Sequence, residues 1–159
     1  VVFGPRDPSY ISPILSAIQS DLCESGIDGV LSTHIQRDAL EKFSYVSPIG
    51  AAGVYLHAVA GDFQKEGPAR ELFKSMIREI SALAAAMGYP FEKDYVKINL
   101  EILSNLSADA TTSMQRDIME GKPSELDGLV MEPLRLAKKY SVSMPCYEEV
   151  ANALCPLEF

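Results

Sequence analysis

Histidine and cysteine are scarce in this 159-residue chain, with two of one and three of the other. His34 and His57 have no partner at ligand spacing, which argues against a metal site. Cys23, Cys146 and Cys155 are odd in number, widely separated and free of C-x-x-C spacing. That excludes a disulfide framework and fits reduced thiols, so the expected location is cytoplasmic. No apolar run approaches the roughly 20 residues of a membrane span. Basic residues are also few: 14 Lys and Arg against 22 Asp and Glu give a formal charge of −8. Such a chain repels nucleic acid and anionic lipid surfaces, and an anionic substrate would need a local cation. The ten glycines contain neither G-x-G-x-x-G nor a P-loop, so nothing here cradles a pyrophosphate unaided.

What is present is ordinary globular composition, 47% hydrophobic and 23% charged. Val1-Val2-Phe3-Gly4-Pro5 reads as the end of a strand entering a turn, as if residues were lost upstream. Asp7-Pro8 predicts a helix start, with Ile11, Ile14, Leu15, Ile18 and Leu22 at helical spacing and Gly26 as its end. Gly29 to Ser32 reads as a short extended link. A long apolar segment from Ile35 to Ala60 predicts a central helix, with a kink at Pro48 and small residues at Gly50-Ala51-Ala52-Gly53. Leu72, Phe73, Met76, Ile77, Ile80 and Leu83 form a stripe after Pro68, a candidate for core burial or for a homodimer face. Tyr95, Ile98, Ile102 and Leu106 form another. Ser107 to Thr112 predicts a loop, Met114 to Glu120 a short helix, Ser124 to Tyr140 an amphipathic helix, and Pro145 a last one. The fold class is therefore all-α, about six to eight helices behind a short N-terminal strand. The whole chain, 1–159, reads as one helical domain without repeats or linkers.

Two features carry possible chemistry. Lys42 sits just inside the long apolar segment. It is either a side chain that reaches water along its stem or an acid held near a carboxylate. The run from Thr111 to Asp127 is the other. Ser124 fits a helix cap, with Glu125 and Asp127 favoured in the first turn by the helix dipole, and Asp117 and Glu120 fit a solvated face.

Ser113-Met114-x-x-Asp117, followed by Gly121-Lys122-Pro123-Ser124-Glu125-Leu126-Asp127, is similar to the signature near the C-terminal end of ketopantoate reductases. Lys stands for Arg, Ser for Thr and Leu for Ile. Ala137 to Pro145 resembles the family's basic helix end and gly-val-x-x-pro turn, and Lys42 falls where the family places the lysine that opens its first long domain helix. The resemblance implies the helical C-terminal domain of a two-domain dehydrogenase, like that of 6-phosphogluconate dehydrogenase. It also implies an N-terminal Rossmann domain, absent here, that binds NADP. The whole enzyme would reduce a 2-oxo acid, 2-dehydropantoate in the family, on the route to pantothenate and coenzyme A. Lys42 would be the acid, Ser113 a hydroxyl for the substrate carboxylate, and Glu125 the contact to the cofactor ribose and to the lysine. The isolated chain, without a cofactor site, would be inactive.

The chain departs from the family at one wall. The asparagine positions four and eight residues after the lysine read Val46 and Gly50, and a further one falls on Ala60. Either the substrate is a bulkier or more apolar 2-oxo acid, with room at Gly50, or the register shifts at Pro48 and Ser47 serves instead. Ser44 and Tyr45 are also nearby. Two other readings stand beside this one: a non-enzymatic helical interaction module, and the C-terminal domain of an opine or hydroxy-acid dehydrogenase.

Overall fold

The computed structural model describes residues 1–7, 9–10 and 12–154. The chain divides into two compact units, 1–40 and 41–159. Helix α2 (Ile35–Leu56) runs through the boundary.

In the first unit, β1 (Val2–Phe3) and β2 (Val30–Leu31) pair in parallel, with α1 (Pro13–Glu24) between them in the chain. The expected extended link is thus a second strand. Two parallel neighbours need a long crossover, and α1 lies within it. The helix does not start at Asp7. Pro8 and Ile11 lie outside the described residues, but the Asp7 carboxylate accepts from the Ser9 amide at 2.9 Å and its hydroxyl at 2.7 Å. Those two bonds hold its pKa below the usual value. Asp7 thus closes a local turn instead of capping a helix. The helix begins at Pro13, a proline at its first position behind Ser12. No α1 residue is buried: Ile14 is 69% exposed, and Val2 and Val30 on the strands are 52% and 45%.

The second unit contains the rest of α2, then α3 (Ala60–Gln64), α4 (Pro68–Ala86), α5 (Tyr95–Ser104), α6 (Ser113–Met119), a π-turn (Asp127–Met131), α7 (Glu132–Tyr140) and α8 (Pro145–Leu154). The all-helical expectation holds. Helix α4 is the axis of the core, touching α3, α5, α7 and α8. Its stripe reads as predicted, with Phe73, Met76, Ile77 and Ile80 fully buried. The stripe is therefore spent on the chain's own core and is not a dimer face. Gly88, in a left-handed conformation at φ 89°, ends it, where Tyr89 N–H donates to Ala84 O at 2.8 Å.

On α5 the buried face is not the expected one. Ile102 and Leu106 are 44% and 41% exposed, while Asn99 and Leu103 are buried. The reason lies in α2. Pro48 has no N–H, so the Ser44 carbonyl four residues earlier loses its helical donor. Asn99 Nδ2 takes that place, donating to Ser44 O at 3.0 Å and to Ser44 Oγ at 3.1 Å. Helix α2 continues through Pro48 to Leu56.

The same event recurs at Pro133. Leu129 lies four residues before it, and its carbonyl accepts instead from Ser47 Oγ at 2.6 Å. A proline ring also crowds the carbonyl four residues back. The turn here is widened to a π-turn, in which Glu132 N–H reaches Asp127 O. So the predicted single helix from Ser124 is a π-turn followed by α7, and Glu125 stands just ahead of it as the acceptor for Leu129 N–H at 2.9 Å.

Helix α7 ends at Ser141, whose φ of 57° and ψ of 44° are left-handed. Val142 N–H closes the end on Ala137 O at 2.9 Å. This is the position of the glycine in the gly-val-x-x-pro turn. Glycine adopts it without the Cβ clash, so Ser141→Gly is expected to raise stability by about 0.5–1 kcal/mol, read as a higher urea midpoint at unchanged slope. Helix α8 starts under Glu79, whose carboxylate accepts from Cys146 N–H at 2.8 Å and Tyr147 N–H at 3.1 Å. Burial, then the neighbouring Glu79, pushes the Cys146 thiol up to about 11. Cys146 and the exposed Cys23 are free thiols; Cys155 lies outside the described residues.

Candidate functional site

Lys42, Val46 and Gly50 are four residues apart on α2, so they follow one another along a single stripe about 40° apart. Lys42 is exposed and Val46 is 37% exposed, while Gly50 is buried. A Cβ at Gly50 would stand 3.1 Å from Met114 Cε and 3.9 Å from Thr112 Oγ1. The missing side chain lets the first turn of α6 cross α2. Gly53, one turn on, does the same: a Cβ there would be 2.7 Å from Gln115 Cδ. The room expected at Gly50 is thus filled by Met114 of the same chain. Ala60 is buried at the start of α3, its N–H bonded to Ala110 O at 2.9 Å.

Two side chains hold α6 in that crossing. Thr112 Oγ1 accepts from Gln115 N–H at 3.2 Å, and Gln115 Oε1 accepts from Thr112 N–H at 2.9 Å. This reciprocal cap fixes the helix start. The same Gln115, nearly buried, donates from Nε2 to Ala58 O at 2.7 Å. Ser113 is then the exposed first residue of α6, next to Met114 on Gly50. Sequence reasoning passed over Thr112 and Gln115, although Thr-x-x-Gln is a capping-box spacing.

Ser47, the alternative to Gly50, is fully buried and turned away from solvent. Its hydroxyl donates to Leu129 O and meets the Tyr147 hydroxyl. With its one proton committed to Leu129, Ser47 can only accept from Tyr147. Burial holds the Tyr147 phenol far above its usual pKa, so it stays a donor. Ser44 is taken up by Glu41 O and Asn99, so neither serine offers a hydroxyl to a ligand beside Lys42. Tyr45 packs edge-on against Phe73 at 6.0 Å, and its hydroxyl is buried without a hydrogen-bond partner among the described residues.

The Ser47–Leu129 bond ties the helix of Lys42 to the turn that follows Glu125. Glu125 is exposed, and among the described residues it forms no ion pair with Lys42. Its neighbour Asp127 is held by Arg135 through two parallel bonds of 2.9 and 2.7 Å, which lowers the Asp127 pKa. A cavity of about 410 Å³ lies farther along, lined by Gly53, His57, Val59, Thr111, Ile118 and Met119 among others. Gly53 is eleven residues from Lys42, about 16 Å along the helix, and His57 lies past the helix end, so this cavity is not beside the lysine. Among the described residues no His, Cys, Asp and Glu cluster could hold a metal ion, and no helix is long and apolar enough to cross a membrane.

Residues 34–158 match the sequence profile described as ketopantoate reductase PanE/ApbA C terminal. A 2-dehydropantoate 2-reductase of Nostoc sp. is 24% identical over 135 residues, which cover 85% of this chain and 42% of that protein. The crystal structure of 2-dehydropantoate 2-reductase from Geobacter metallireducens superposes with a TM-score of 0.85 at 23% identity, covering 96% of this chain and 51% of that one. The ternary structure of D-mandelate dehydrogenase with NADH and anilino(oxo)acetate gives 0.74 at 18% identity, covering 86% and 57%. The chain spans about half the length of these relatives.

Proposed function

The chain belongs to the ketopantoate reductase PanE/ApbA family as its C-terminal domain, and from that premise we propose that it supplies the acid and the substrate wall of an NADPH-dependent 2-oxo acid reductase. Hydride reaching the carbonyl carbon leaves negative charge on its oxygen. Lys42 stabilises that charge and donates the proton. Ser113 binds the substrate carboxylate, and Glu125 faces the cofactor ribose and the lysine. NADPH supplies the hydride, bound by an N-terminal Rossmann domain. Two observations support that partner: the relatives are about twice as long, and Ile14, Val2 and Val30 in the parallel β-α-β unit are exposed apolar residues.

The observation that supports the reading is the crossing of α6 over α2, in which Met114, the residue after Ser113, stands 3.1 Å from a Cβ placed at Gly50, two turns beyond Lys42. A helical interaction module has no need of such a convergence.

The wall past Lys42 is Val46 and, over Gly50, the methyl of Met114. It has no amide for a substrate hydroxyl. The substrate is therefore a 2-oxo acid with a more apolar side chain than ketopantoate. The relative named for mandelate, a hydroxy acid bearing a phenyl ring, shares this fold. The test is the full-length enzyme with NADPH and with NADH against pyruvate, branched-chain 2-oxo acids, phenylglyoxylate and ketopantoate. The expected kcat/KM favours an apolar 2-oxo acid over ketopantoate by at least about 10-fold, with NADPH preferred. A preference for ketopantoate would end the specificity claim and leave the reaction class standing.

A further inference from the structure

We infer that Ser47 and Tyr147 are positioning residues for Glu125, acting through the Leu129 carbonyl of the π-turn. The inference rests on the role proposed for Glu125. Pro133 leaves the Leu129 carbonyl without an α-helical donor, and the Ser47 hydroxyl supplies one at 2.6 Å. Ser47 in turn is orientated by the Tyr147 hydroxyl, which has only one direction in which to donate. Both side chains are fully buried, so water cannot replace either. Leu129 is also the residue whose N–H bonds back to Glu125 O at 2.9 Å. The two faces of one peptide residue therefore link Ser47 on α2 to the backbone of Glu125.

Helix α2 carries Lys42 five residues before Ser47. The chain Tyr147, Ser47, Leu129, Glu125 thus sets the carboxylate's backbone in a fixed relation to the lysine's helix. A π-turn is a local widening with an alternative, the ordinary α-turn. Without the Ser47 donor, the part-buried Leu129 carbonyl has to find another partner, and the turn that presents Glu125 moves with it.

The experiment is a double-mutant cycle in the full-length enzyme, reading kcat and KM with NADPH and its best 2-oxo acid. Ser47→Ala is expected to lower kcat about 10-fold with the KM for the oxo acid little changed. In a Glu125→Gln background the same substitution should cost less than about 2-fold, because the group being positioned is gone. Tyr147→Phe should give a smaller loss with the same dependence on Glu125, and it carries the cycle if Ser47→Ala does not fold. Ser47→Thr, which keeps the hydroxyl, should recover most of the activity. Equal cost of Ser47→Ala in both backgrounds, or no cost in either, overturns the inference while a large effect of Glu125→Gln alone keeps the proposed site. A Glu125→Gln enzyme with full activity overturns both.

Discussion

With Lys42 as the proposed acid, Lys42→Met in the full-length enzyme is expected to lower kcat about 1000-fold, the central range for removal of a positioned general acid. The fold should not suffer. Lys42 is exposed near the head of α2, and the buried side of that helix begins at Ser44. A surface substitution there shifts stability by no more than about 0.5 kcal/mol. The loss is expected in kcat because, in the proposed role, the charge that the ammonium meets appears on the oxygen only as hydride arrives. Lys42→Arg keeps a cation but offers a proton that guanidinium does not release, so it should restore little. Steady-state kinetics with circular dichroism on the same samples separates this from unfolding. A Lys42→Met enzyme within 10-fold of wild type would remove the lysine from the chemistry.

Asn99→Leu lowers the stability of the domain by about 2–3 kcal/mol. Asn99 is 1% exposed, and its amide is the donor to both oxygens of Ser44. Leucine fills the space but leaves the Ser44 carbonyl buried without its donor, at about 1–3 kcal/mol. For a domain of this size the melting temperature should fall by about 4–12 °C. The cause is testable at Pro48. In a Pro48→Ala background residue 48 regains an N–H, the α-helical bond to Ser44 O can form, and Asn99→Leu should cost less than about 1 kcal/mol. The same cost in both backgrounds would mean that Asn99 stabilises by packing and not through the carbonyl.

These two sites show what could be read in advance. The α4 stripe and its glycine end followed from apolar periodicity and a left-handed cap. Lys42, Val46 and Gly50 fell on one helical face by spacing alone. The buried polar donors did not show themselves, because a count of apolar positions passes over Asn99, and Ser47 reads from the sequence as a substrate contact and not as a buried donor. The clue was available in another form: every proline inside a helix frees the carbonyl four residues earlier, so Pro48 and Pro133 each required a donor from elsewhere. Which donors answer, Asn99 and Ser47, depends on contacts 55 and 82 residues away in the chain. The filling of Gly50 by Met114 is likewise a long-range contact that local pattern cannot predict. Asp7 misled for the opposite reason. Its side chain suits a helix cap and a tight turn equally, and Ser9 decided for the turn.

The account stands most directly on Lys42 and Glu125 acting as one site. Among the described residues their side chains are not paired, and the proposed function requires them to meet in the full-length enzyme with its cofactor bound. The decisive measurement is the double-mutant cycle of Lys42→Met and Glu125→Gln in the full-length enzyme under saturating NADPH. If the two act together, the double variant should be about as slow as Lys42→Met alone, roughly 1000-fold below wild type. If the losses multiply, so that each substitution costs as much with the other present as without it, the two residues work independently and the shared site is contradicted.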